Sequence, residues 1–144
     1  MAIDATIGGA TSDSYSTVAD ADAYHTNHLY HATWTAASTD SKERSLKMAT
    51  RLLDERITWV GSKYTDEQHL RWPRGSGTDL DGYSVLVTVI PVPVKNAVAE
   101  LARHLAVSDL TAQAQGKGIE SLDAGSVSLT FSKTDTADVL PTIV

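Results

Sequence analysis

The sequence predicts a mainly α protein: a small bundle of three to four helices with long loops, a C-terminal β-hairpin and an extended tail. Three observations predict it. Apolar residues recur at helical spacing in two stretches, 40–61 and 91–106. Between them, 62–89 is broken by Gly, Asp and Ser and keeps no period. Beyond Gly118 the pattern changes to the alternation of a strand. With 144 residues the chain suits one domain large enough to bury a core.

Residues 1–15 read as an N-terminal arm of small residues, Gly8-Gly9-Ala10-Thr11-Ser12 among them. Such arms are ordered by what they touch. The arm has neither the basic start nor the apolar run of a secretory signal.

The first helix is expected to start at Ser16 or Thr17, either of which can cap it. Asp20 and Asp22 in its first turns suit the positive end of the helix dipole. It is expected to run through Ala21, Tyr24 and His28 toward His31, with Thr33-Trp34-Thr35 and Ser38-Thr39 as a loop. In the second helix Asp40 is the expected cap, and Glu43 three residues on completes a capping-box pattern. Leu46, Ala49, Leu53, Ile57 and Val60 form its stripe, widened by Met48 and Leu52. Lys42, Arg44, Lys47, Arg51, Asp54 and Glu55 take the other side, and Gly61 is the expected stop. Such an apolar face demands a partner helix.

In the long connection, Gly75, Gly77, Asp79, Asp81 and Gly82 mark a polar loop. Val85–Ile90 reads as a short strand or an extended apolar run. Long connections in small domains are often binding surfaces. The third helix is expected to start at Pro91–Pro93, because proline fits a first turn. Val94, Ala97, Val98, Leu101 and Leu105 make its stripe. Ala99, Ala102 and Ala106 permit close approach, and Gly116 and Gly118 are its stops. A hairpin is expected within 119–132, turning at Asp123-Ala124-Gly125, so the helical domain spans 16–132. Residues 133–144 form a tail whose apolar end includes Leu140, Ile143 and Val144.

The net charge of −6 is uneven. Residues 1–40 carry five Asp and no Lys or Arg; 41–74 are net +3; 75–144 are net −4. One basic segment in an acidic chain argues against general nucleic-acid binding, which depends on neutralising phosphates. Cysteine is absent, which removes disulfides, thiolate metal sites and thiol catalysis. No apolar run is long enough to cross a bilayer.

The chemistry-bearing residues do not assemble into a catalytic pattern. His25, His28 and His31 recur every three residues, which drifts around a helix, and no neighbouring carboxylate completes a ligand set. Asp20 and Asp22 lie on different sides of their helix. Ser14 and Ser16 lack a nucleophile elbow, and the glycines at 75, 77 and 82 make no phosphate loop. The expectation is no enzyme, no cofactor and no metal. Trp59, Trp72, Arg71 and Arg74 could form a stacking platform for single-stranded nucleic acid. The plainer reading puts both tryptophans in the core and Arg74 against a protein carboxylate.

The densest feature is Gln68-His69-Leu70-Arg71-Trp72-Pro73-Arg74-Gly75. It belongs to an ordered series. Ser14-Tyr15 leads to Ala21 and Tyr24, then Trp34, then Ala49-Thr50-Arg51-Leu52-Leu53-Asp54 and Trp59-Val60-Gly61. After Gln68–Arg74 comes Ile90-Pro91-Val92-Pro93-Val94-Lys95-Asn96-Ala97-Val98-Ala99-Glu100-Leu101-Ala102. Over 14–106 this series resembles the head–tail connector (adaptor, head completion) proteins of tailed bacteriophages. The resemblance implies a structural virion protein in the neck, assembled in the host cytoplasm as a homo-oligomeric ring, often twelvefold, beneath the portal protein. The ring would extend the channel through which double-stranded DNA passes without specific binding, and would receive a downstream neck or tail protein. The tail, with Leu140, Ile143 and Val144, would reach the portal. The specific interface expected is Arg71 and Arg74, with Trp72, facing Asp20, Asp22 or another acidic site on a neighbouring copy. The chain is also similar to sequences described as DnaT-like single-stranded DNA-binding proteins, which implies the alternative of a replication accessory protein.

Overall fold

A computed structural model describes residues 2–75 and 77–112, and the backbone of 121–124 and 127–130. The chain divides into two compact units, residues 1–108 and 109–144. The first is helical: α1 (Val18–Thr26), α2 (Ala32–Ala36), α3 (Thr39–Arg56) and α4 (Val92–Leu105), with a minimal antiparallel pair β1 (Ser62–Lys63) and β2 (Arg74–Gly75). The second contains the hairpin β3 (Ser121–Ala124) and β4 (Val127–Thr130), with Ala124 paired to Val127. The mainly α expectation therefore holds, with four helices among the described residues. The expected tail and its Leu140, Ile143 and Val144 lie outside the described residues.

The core is the α3–α4 interface, closed by α1. Leu46, Ala49, Leu52 and Leu53 of α3 are buried, as are Val94, Val98, Leu101 and Ala102 of α4. Alanines at 21, 49, 99 and 102 let the helices approach closely. Burying each Leu or Val here contributes about 1.5–3 kcal/mol. Trp34, expected in a loop, is instead buried on α2, with its indole N–H donating to Asp22.

Several boundaries differ from the sequence reading, each for a local reason. Thr17, one of the two expected caps, caps α1, and Asp20, expected only to suit the helix dipole, bonds back to the Thr17 amide; α1 ends at Thr26, so His28 and His31 lie beyond it. Ser38, not Asp40, caps α3: its hydroxyl accepts from the Ser41 amide. The helix stops at Arg56, with Ile57 extended and Val60 exposed, so the last two residues of the expected stripe lie beyond it. Gly61 serves a turn after the helix, at φ 79°. Residues 85–90 form no strand, and the chain turns at 87–88.

Residues 2–16 are packed within the first unit instead of extending as an arm. Ser12, Ser14, Tyr15 and Ser16 are buried, and the Asp13 amide donates to Asp4 O at 2.8 Å. The Tyr15 amide donates to Thr50 Oγ1 on α3 at 3.2 Å.

Candidate functional site

The Gln68–Gly75 segment is a loop braced from inside. Gln68 is buried. Its amide nitrogen donates to the carbonyls of Leu70 and Pro73, both at 2.9 Å, and its oxygen accepts from the Thr65 amide at 3.0 Å. Lys63 Nζ donates to Gln68 O at 2.7 Å, and the Trp72–Pro73 peptide is cis. His69 ties the loop to the N-terminal segment: its amide donates to Gly9 O at 3.1 Å, and its Nδ1 lies 2.6 Å from Ser12 O.

Arg74 turns inward. Its guanidinium donates to Val60 O at 2.8 Å, Arg71 O at 3.1 Å and Trp59 O at 3.4 Å, and also to Gly61 O. A planar fork with fixed donors suits such a set of carbonyls. Arg74 is buried and holds the chain after α3 against the loop. Within the chain, the expected carboxylate partner for Arg74 gives way to this carbonyl set.

Asp54 of α3 is the second brace. It accepts from the Tyr15 hydroxyl at 2.6 and 2.8 Å, from Trp59 Nε1 at 3.1 Å and from the Arg71 amide at 3.1 Å. The Trp72 amide in turn donates to the Tyr15 oxygen at 3.1 Å. Burial, then the Asp54 carboxylate, push the Tyr15 phenol far above its ordinary value, so it stays a donor. Trp59 and Trp72 meet edge to face at 5.8 Å and are half-buried. The stacking platform weighed from the sequence is therefore not assembled: its aromatics pack on each other and one of its arginines is buried.

Asp20 and Asp22 are also engaged. Asp20 pairs with Lys95 of α4 at 3.3 Å, while Asp22 pairs with Lys42 at 2.9 Å and accepts from Trp34. Desolvation alone would raise both carboxyls. The facing lysines and hydrogen bonds outweigh it, and both lie below the ordinary carboxylate value.

The outward product of this bracing is a groove of about 600 Å³ between α3 and residues 69–71. Arg44, Lys47, Arg51 and Arg71 line it, over Met48 and Leu70. Asp13, Asp54 and Glu55 also line it, so the wall carries a net charge of about +1 in a chain of −6. Lys47 pairs with Asp13 at 2.7 Å, Arg44 with Asp40 at 2.9 Å and Arg51 with Glu55 at 3.7 Å. The exposed Arg71 guanidinium has no hydrogen bond or ion pair among the described residues.

A second polar cluster lies between α1 and α4. Glu100, far from the histidines in sequence, places Oε2 3.0 Å from His28 Nε2, and its Oε1 contacts Arg103 and lies 3.3 Å from His104. Tyr24 donates to it at 3.4 Å. Desolvation would raise the Glu100 carboxyl, but Arg103 and the histidines hold it below its ordinary value. His25 is buried, with Nε2 3.0 Å from Ala99 O. Burial lowers its pKa, which keeps the imidazole neutral. The sequence reading saw the histidines but not Glu100, because no local spacing connects them.

A third surface is apolar. Leu80, Tyr83, Leu86, Val89 and Val92 are exposed between β2 and α4. Among the described residues no helix is long and apolar enough to cross a membrane. The model of a protein family described as "Putative DnaT-like ssDNA binding protein" matches residues 1–144. None of the curated proteins and none of the solved structures matches the chain.

Proposed function

The chain belongs to the family described as DnaT-like ssDNA binding proteins, and from that premise we propose that it binds single-stranded DNA along the α3 groove. The observation that carries the reading is Arg71. Its backbone is fixed by Asp54 and Tyr15, while its guanidinium stands free beside Arg44, Lys47 and Arg51. Arg44 and Arg51 are held by surface carboxylates, which phosphates can replace because exposed ion pairs contribute only about 0–1 kcal/mol, while Lys47 is partly buried against Asp13 and the Ala2 carbonyl. Without an exposed tryptophan platform the contact follows the backbone, so it is weak, sequence-tolerant and salt-dependent.

The test is fluorescence anisotropy of an oligo-dT strand titrated with the full chain from about 50 to 200 mM salt. Engagement of one to four cations gives a log–log salt slope of about −0.7 to −2.8. Arg71→Ala should weaken binding and reduce that slope by about 0.7. No binding at the lowest salt, or an Arg71→Ala variant that binds like the parent, refutes the reading.

A second reading is favoured by the apolar surface from Leu80 to Val92. An apolar patch left exposed on a single chain marks a contact with another chain. It supports a head–tail connector: a non-enzymatic virion subunit that forms a ring by heterologous contacts between copies and docks the portal protein and a neck or tail protein. Sedimentation of the full chain with and without Leu86→Asp tests it. A higher-order species lost in the variant supports the connector. A parent chain that stays monomeric at every concentration and with added portal protein counts against it.

A further inference from the structure

We propose that His25, His28 and Glu100 form a binding site for a transition-metal dication of the zinc class, which ties α1 and the residues after it to α4. Each residue presents one ligand atom, and the three atoms lie within 4.8 Å of one another. His25 supplies a second, independent observation. It is 1% exposed, and its Nδ1 is buried with no hydrogen-bond partner. A backbone carbonyl only accepts, so the contact to Ala99 O places the ring proton on Nε2 and leaves a lone pair on Nδ1. A histidine whose other nitrogen donates to a backbone carbonyl is the arrangement that metal-ligating histidines adopt. A buried acceptor with no donor is costly, and a cation removes that cost.

The remaining geometry needs movement, because atoms up to 4.8 Å apart must close to the donor separation of a tetrahedral ion. A tetrahedral ion with bonds of about 2.0–2.2 Å separates its donors by about 3.3–3.6 Å. His28 Nε2 and Glu100 Oε2 are 3.0 Å apart, so they open by a few tenths of an ångström. The ion replaces the proton on His28 Nε2, and the ring proton moves to Nδ1. The Tyr30 amide, now 3.0 Å from that Nδ1, must then turn to solvent, which exposed Tyr30 permits. Glu100 keeps Oε1 for Arg103 and His104, so only one carboxylate oxygen is needed. Two imidazoles and one carboxylate select zinc, nickel or copper over magnesium and calcium, which prefer all-oxygen sites. Water completes the coordination.

The experiment is isothermal titration calorimetry of the full chain with zinc chloride in a non-chelating buffer, with magnesium chloride as the comparison. One zinc per chain is expected, with no magnesium heat. His28→Ala and Glu100→Gln should each weaken zinc binding at least about tenfold. His31→Ala, an exposed histidine outside the set, should leave it unchanged. His28 is partly exposed, so its variant keeps the fold and decides the matter if Glu100→Gln does not fold. Zinc should also raise the Tm of the parent and not of His28→Ala. Absence of zinc binding by the parent, or parent-like binding by His28→Ala, overturns the proposal.

Discussion

Tyr15→Phe isolates the brace behind the exposed arginine. The substitution keeps the ring in its buried place and removes only the hydroxyl oxygen. Two interactions go with it: the bond to Asp54, at 2.6 Å from its nearer oxygen, and the Trp72 amide's bond to the phenol at 3.1 Å. A hydrogen bond to a charged group contributes about 1.5–3 kcal/mol, and an orphaned, partly buried amide costs about 1 kcal/mol. Their sum is about 2.5–4 kcal/mol, a large share of the roughly 5–15 kcal/mol that holds a domain. With a urea m-value of about 2 kcal/mol/M, the unfolding midpoint falls by about 1–2 M. Asp54→Asn is the companion, and the double variant should lose less than the two single losses combined, because both act on one network. Hydrogen exchange at the Arg71 and Trp72 amides should accelerate in Tyr15→Phe more than exchange in the α3–α4 core. A midpoint shift below about 0.3 M, or strictly additive losses, would refute the view that Tyr15 and Asp54 jointly hold the loop.

Arg74→Lys should destabilise the fold by about 2–4 kcal/mol in urea unfolding, because an ammonium cannot reach the carbonyls of residues 59, 60, 61 and 71 together. Asp22→Asn should cost stability at neutral pH and converge with the parent in acid. The folded carboxyl lies below the ordinary 3.8, so its contribution is present above that pH and fades as pH falls through the lowered value; urea unfolding of both chains across that window checks it. Gln68→Ala should lower the Tm, since it removes three hydrogen bonds from a buried site, and Gln68→Glu should not restore it, because a carboxylate cannot donate to the Leu70 and Pro73 carbonyls. Leu86→Ser should leave monomer stability within about 0.5 kcal/mol by urea unfolding, because Leu86 is already exposed.

The parts of the fold legible in the sequence are those written in local periodicity. Leu46, Ala49, Leu52 and Leu53 mark the buried face of α3, and Val94, Val98 and Leu101 that of α4, because a long helix repeats its own pattern. Thr17 shows as a candidate cap just before α1, though the sequence offers Ser16 equally. What was missed depends on distant partners. The five-residue α2 has no period, and Trp34 is buried by what surrounds it rather than by its neighbours in sequence. Asp54 reads as one more polar residue on α3, yet it gathers Tyr15, Trp59 and Arg71 from three segments. Glu100 sits on a helix with no histidine pattern of its own until His104, so its meeting with His25 and His28 could not be read from spacing. Arg74 misleads most: a guanidinium in a loop suggests an outward partner, and only the carbonyls turned toward it show that it faces in.

The distribution of Gln68–Gly75 between inside and outside decides how the two functional readings separate. Gln68 and Arg74 are committed to the loop's own carbonyls, and Trp72 to Trp59, so substitutions there report on folding before they report on any partner. Two outward features remain: a free guanidinium beside the cationic edge of α3, and the apolar stretch from Leu80 to Val92. They respond oppositely to salt. Phosphate contacts weaken as ionic strength rises, because bound counterions are no longer released at a gain. Apolar association persists, and kosmotropic salts strengthen it. A chain that releases an oligonucleotide but retains its oligomer as sulfate is raised would use both surfaces independently. Loss of both together would mean that DNA contact and self-association share the groove, and would place Arg71 at a subunit boundary.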